Sequence, residues 1–126
     1  MRVGKQGIPL WFHCFKGKEG PDAYEEELLK QGISYVSNLF GKDFDLIFLA
    51  DRWFNSTTLL QHIQSLGHTF CVRLKRNIKA LVYNQKEGHH IWYFLDNLPS
   101  YKYHSKCYEG IYLTESKFQT NLVISK

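Results

Sequence analysis

The residue pattern predicts an α/β protein: a mixed sheet with flanking helices, followed by a β-rich second part. Three observations predict it. Two short apolar runs, residues 44–50 (FDLIFLA) and 68–74 (HTFCVRL), bracket a stretch whose apolar residues recur at helical spacing. The strand–helix–strand order occupies about 30 residues, the length of a βαβ unit, so the two strands are expected to be parallel. After residue 79, short apolar or aromatic runs alternate with turn residues, and no long helical pattern returns.

Each element has its own local signal. Residues 8–15 (IPLWFHCF) form a continuous apolar run, expected as a strand buried on both faces, with Pro9 near its start where a missing N–H is tolerated. Residues 16–21 are turn-rich. Pro21 and Asp22 then open a helix, with Glu25, Glu26 and Glu27 at its positive N-terminal end. Gly32 is expected to break or bend that helix. Ile33, Val36, Leu39 and Phe40 continue the helical spacing to a stop at Gly41. The run at 44–50 is expected as a central strand ending at Asp51 and Arg52. Asn55 and Ser56 form a cap for a helix whose face carries Leu59, Leu60, Ile63 and Leu66, with Gly67 as its stop. Residues 80–83, 91–95, 111–113 and 122–124 are expected as antiparallel strands, separated by turn residues that include Gly88, Pro99 and Gly110.

Composition bounds the function classes. The chain has 126 residues, 44% hydrophobic and 16% aromatic, enough for a core and too apolar for intrinsic disorder. No apolar run reaches the roughly 18 residues of a membrane span, and the first residues have no signal-peptide pattern, so a cytoplasmic location is expected. Cys14, Cys71 and Cys107 are odd in number and widely spaced, which fits a reducing compartment. Neither these cysteines nor the six histidines show zinc-ligand spacing; Cys71, in its strand, is expected in the core. There is no glycine-rich phosphate loop and no nucleophile elbow.

The charge is local. Arg73, Lys75, Arg76 and Lys79 lie within seven residues without an acid among them, and the formal net charge of the chain is +4. Such a cluster suits phosphate contacts that position DNA without reading its sequence; a solvated strand end is the plainer alternative. Trp92, Tyr93, Tyr101 and Tyr103 could stack on bases, but aromatic residues on strands are more often packed.

Asp51 is the candidate for chemistry. It ends an apolar strand, and in α/β sheets the carboxyl edge is where ligands and catalytic groups gather. A helix-cap role is disfavoured because Asn55 and Ser56 already stand at the cap. A salt bridge to Arg52 or to a basic residue of the neighbouring strand remains open.

The stretch Ile47-Phe48-Leu49-Ala50-Asp51-Arg52-Trp53-Phe54, then Ser56, Leu59-Leu60, Gly67 and Val72-Arg73-Leu74-Lys75, resembles the second-aspartate region of DDE-type DNA transposases of the insertion sequence four family. Ile8-Pro9-Leu10-Trp11-Phe12 and Gly17-Lys18 resemble the strand pair that precedes that region, so the likeness runs over residues 7–125. The resemblance implies an incomplete RNase H-like core over residues 1–79 and a β-rich insertion of the same domain over 80–126. It also implies metal-dependent phosphoryl transfer on transposon-end DNA, with three carboxylates holding two Mg²⁺ ions about 4 Å apart and a homodimeric full-length parent. Mg²⁺ takes hard oxygen ligands, and Asp51 would be the second of the three carboxylates. Arg73, Lys75, Arg76 and Lys79 would hold DNA, and Arg52 and Trp53 would flank the metal ligand.

The sequence departs from the family pattern in three places. No acidic residue precedes Glu19, so the first aspartate is missing. The late glutamate lies in a Tyr-x-x-Arg-x-x-x-Glu pattern that no tyrosine here begins; Tyr101, Tyr103, Tyr108 and Tyr112 are followed three residues on by His104, Lys106, Ile111 and Glu115. Trp53 stands where many relatives have glycine, implying another backbone path or a base-stacking surface. The expectation is therefore an internal, truncated piece without independent activity. The rivals are a non-catalytic DNA-binding remnant that uses the basic strand end, and a purely structural domain.

Overall fold

The computed structural model describes residues 2–3, 5–14, 25–52, 56–99, 104–114 and 118–125. They form a mixed α/β structure in two compact units, Met1–Arg73 and Leu74–Lys126.

In the first unit, β1 (Arg2–Val3) and β2 (Gln6–Gly7) pair as a small antiparallel hairpin. Residues 8–14 then carry no regular structure, which corrects the strand expected over 8–15 for the part that is described. The run is apolar, but its backbone joins no ladder among the described residues, and Phe12 and Cys14 are exposed. Its anchor is Trp11, whose ring lies on α1 (Glu25–Phe40) at Gly32. That contact accounts for a glycine within a helix that runs through it unbroken, which corrects the expected break. The residue is buried, and an added Cβ would lie 2.7 Å from the Trp11 ring, so glycine serves the close approach of an indole. Glu25, Glu26 and Glu27 occupy the first turn, as the helix dipole favours. Gly41 ends the helix at φ +70°, its N–H donating to the Ser37 carbonyl at 3.1 Å. The expected opening at Pro21 and Asp22 lies outside the described residues.

The strand–helix–strand expectation is met. β3 (Ile47–Ala50), α2 (Thr57–Ser65) and β4 (Thr69–Val72) form a parallel unit, with Ile47 beside Thr69 and Ala50 beside Val72. Leu59, Leu60 and Ile63 on one face of α2 are buried, and Gly67 ends the turn after it at φ +80°. Only one face of the strand pair is covered. Phe48, Ala50, Phe70 and Val72 are half-buried, whereas Ile47, Leu49 and Cys71 are exposed, Leu49 at 77%. Two expectations are corrected here: β3 pairs with β4 alone among the described residues, so it is not central in this sheet, and Cys71 is not a core residue. The physical reason is the two-residue period of a strand, which puts Cys71 and Leu49 together on the uncovered side.

The second unit is a four-stranded antiparallel sheet in the order β6–β5–β7–β8, built from β5 (Lys79–Asn84), β6 (His89–Phe94), β7 (Lys106–Leu113) and β8 (Phe118–Ile124). The turn joining β5 to β6 closes at Gly88, φ +72°. A bulge between Tyr108 and Ile111 interrupts the β7–β8 register. One face is the core: Ala80, Ile111, Leu113, Phe118 and Leu122 are buried. A short 3₁₀ turn (Leu95–Asn97) follows β6, Leu98 behind it is buried, and the Tyr108 hydroxyl, on the core face, donates to the Pro99 carbonyl at 2.6 Å. These contacts hold residues 95–99 against the core side of the sheet.

Candidate functional site

Asp51 is the first residue past the carboxyl end of β3 and is exposed. Its Oδ1 accepts a hydrogen bond from the Arg52 N–H at 2.7 Å, a local turn that holds the carboxylate at the strand end. Arg73 occupies the matching place after β4. Its N–H donates to the Ala50 carbonyl at 3.2 Å, carrying the parallel ladder one step past Val72 and setting Arg73 beside Asp51. The two strand ends border a shallow, mostly apolar depression lined by Leu49, Ala50, Asp51, Cys71, Val72 and Arg73. Asp51 and Arg73 form no ion pair with each other. An exposed carboxylate and an exposed guanidinium at adjacent strand ends can offer oxygen to a cation and charge to a phosphate.

Helix α2 is capped by Ser56, which lies in extended conformation (φ −64°, ψ 121°) and accepts the Leu59 N–H at 3.4 Å. Asp51 takes no part in that cap. The same Ser56 hydroxyl donates to Glu26 Oε2 at 2.6 Å, and Lys30 Nζ lies 3.1 Å from Glu26 Oε1. The Ser56 hydrogen bond and the Lys30 ammonium hold the Glu26 carboxyl below its ordinary titration range. Glu26 is thus a fixed, ionised carboxylate joined to the β3–α2 connection. Sequence reasoning placed it only in a helix first turn, and nothing local signals a partner 30 residues away.

The basic cluster is divided between the units. Arg73 closes the first. Lys75, Arg76 and Lys79 belong to the second. Lys75 is half-buried, near a turn in which the Ile78 N–H reaches its carbonyl at 3.2 Å. Arg76 Nε lies 3.8 Å from Asp96 Oδ1 with both side chains exposed, a pairing of little energetic weight. Lys79 Nζ sits 5.0 Å from the centre of the Phe94 ring. Arg52 is exposed, and Trp53 lies outside the described residues.

Two Mg²⁺ ions need several fixed oxygen ligands. Asp51 offers one carboxylate with one oxygen already hydrogen-bonded, and no three His, Cys, Asp or Glu side chains gather among the described residues. These residues therefore do not make up a two-ion site. Among the described residues no helix is long and apolar enough to cross a membrane. The chain matches no protein-family model, no curated protein and no solved structure.

Proposed function

We propose that this chain is the middle part of a DDE-type DNA transposase of the insertion sequence four family, with Asp51 as the second carboxylate of its catalytic set. One observation carries the proposal: in a parallel β3–α2–β4 unit, Asp51 and Arg73 leave the carboxyl ends of adjacent strands. An RNase H-like core has a carboxylate of this kind at such an edge, and Arg73 stands where a phosphate could be met. The uncovered apolar side of β3 and β4 suits a sheet and helix layer completed by further elements, since parallel strands are ordinarily covered on both faces. Asp51 supplies one oxygen ligand and a fixed position. The remaining ligands of a metal-dependent phosphoryl transfer come from elsewhere, so the chain alone does not cleave DNA.

The test has two arms. The purified chain, with Mg²⁺ or Mn²⁺ and an intact or nicked duplex, is expected to give no product beyond that of Asp51→Ala. The DNA flanking the reading frame is expected to encode an upstream strand ending in Asp and a downstream Tyr-x-x-Arg-x-x-x-Glu segment, intact or decayed. Asp51-dependent cleavage by the isolated chain overturns the inactive-piece proposal, and flanks without either segment overturn the transposase origin.

A non-catalytic DNA-binding remnant is the second reading. It is favoured by the charge balance: the second unit holds eight Lys and Arg against four Asp and Glu, and the first holds eight against eight. Salt-dependent duplex binding without transposase flanks would select it.

A further inference from the structure

The outward face of the second unit departs from what an antiparallel sheet with one core side ordinarily presents. That side is usually polar. Strand alternation and register assign its residues here. Phe94, Trp92 and His90 of β6 stand opposite Lys79, Leu81 and Tyr83 of β5, and Tyr112 of β7 continues the Leu81 row. The alternate residues, Ala80, Val82, Ile91 and Tyr93, lie on the core side. Trp92 is 40% exposed, Phe94 44% and Tyr83 54%. Three aromatic rings thus lie on two neighbouring strands with much of their surface open to water.

We propose that this face binds single-stranded DNA, with bases stacking on Trp92 and Phe94 and a phosphate drawn to Lys79. Three features favour that occupant. The first is ring spacing: residues two apart on a strand are about 7 Å apart, twice the roughly 3.4 Å per nucleotide of a stacked strand. Successive bases reach successive rows only when unstacked and extended, which a single strand permits and a duplex does not. The second is charge. The excess of basic over acidic residues in the chain falls wholly in this unit, and Lys79 stands at the Phe94 end of the face, its ammonium 5.0 Å from the ring centre. Aromatic rings with a cationic side chain beside them, here Lys79, are the combination by which single strands are held without sequence reading. The third concerns the sugar. On β5 and β6 the Trp92–Leu81 and Phe94–Lys79 pairs offer no hydrogen-bond acceptor from their side chains, so the proton of a ribose 2′-hydroxyl laid over them would lose its water acceptor without replacement. Deoxyribose carries no such penalty. The surface shares no residue with the Asp51 edge, and the proposal does not depend on a transposase origin.

The full chain is titrated into fluorescein-labelled oligo-dT of about 20 nucleotides, the matching oligo-rU and a duplex of equal length, and binding is followed by anisotropy. Oligo-dT is expected to bind more tightly than either. Trp92→Ala and Phe94→Leu are each expected to weaken oligo-dT binding about five- to hundredfold, the range for loss of one base–aromatic stack. Trp92→Phe should keep most of the affinity, and Lys79→Ala should lower the salt dependence by about one charge. Far-UV circular dichroism accompanies each variant. Folded Trp92→Ala and Phe94→Leu chains with unchanged oligo-dT affinity overturn the proposal. Tighter binding of the duplex or of oligo-rU also overturns it, as does a self-associated chain that becomes monomeric on Trp92→Ala and never binds oligo-dT.

Discussion

The ring of Trp11 fills the space in which a side chain at residue 32 would begin: a Cβ on Gly32 would stand 2.7 Å from the nearest ring carbon and 2.9 Å from the next. Glycine inside a 16-residue helix lowers its intrinsic stability by about 1 kcal/mol relative to alanine. Here the lost propensity is exchanged for a seat for an indole, and the irregular segment 8–14 is held by that seat. Gly32→Ala is therefore expected to destabilise the chain despite its better helix propensity, by about 1–3 kcal/mol, the usual range for overpacking. With Trp11→Ala already present, the same substitution should become neutral or stabilising. Urea unfolding of the four chains in a double-mutant cycle measures the coupling.

Ser56 serves two partners with one hydroxyl, accepting the Leu59 N–H and donating to Glu26. Ser56→Ala is expected to cost about 0.5–2 kcal/mol as a lost helix cap. It should also change the acid limb of stability. Glu26 titrates lower in the folded chain than in the unfolded one, so its contribution is complete above the unfolded value near 4.3 and is lost as pH falls through the folded value. Unfolding midpoints measured between about pH 5 and pH 3 should fall less steeply in Ser56→Ala than in the parent, because the largest cause of the shift is gone.

Two serine–histidine hydrogen bonds join α1 to the elements beside it: Ser34 Oγ to His62 Nε2 at 2.8 Å and Ser37 Oγ to His68 Nε2 at 2.7 Å. They are not equivalent. The other ring nitrogen of His68, Nδ1, is buried without a hydrogen-bond partner, so among the described residues Ser37 is the hydrogen-bond partner of that ring. Ser37→Ala should cost more than Ser34→Ala, within the roughly 1–3 kcal/mol of stranding a buried polar group. Thermal unfolding of both variants decides the order, and equal losses would contradict it.

If the basic segment holds duplex DNA as proposed, replacing Arg73, Lys75 and Arg76 together by alanine should weaken binding to unrelated duplexes by similar factors. The slope of log affinity against log salt should become shallower by up to about three charges. Loss for one sequence only would mean base reading and would contradict backbone positioning.

Much of the architecture is legible in local sequence. The apolar runs that became β3 and β4, the helical spacing between them, the stops at Gly41 and Gly67 and the turn-punctuated second half all appear as expected, because each depends on residues within about four positions. Asp51 at a strand end and Ser56 at a cap are legible for the same reason. Tertiary structure alone decided the rest. Alternation shows that Leu49 and Cys71 share a side, but only the placement of the helices determines that this side faces water. In the second unit, alternation separates Trp92 from Tyr93, and the packing of that sheet's own core sends the first outward and the second to the core side, where its hydroxyl accepts from Asn84 Nδ2 at 2.8 Å. The apolar run at residues 8–14 carried a strand signal, yet a strand needs a partner ladder, and its indole found a glycine on a helix instead. Ser56 with Glu26 and Ser37 with His68 are pairings across about 30 residues, and chain separations of that length leave no mark in a local pattern. Which side of an element is buried, and which polar side chains meet, depends on contacts formed only when distant segments pack.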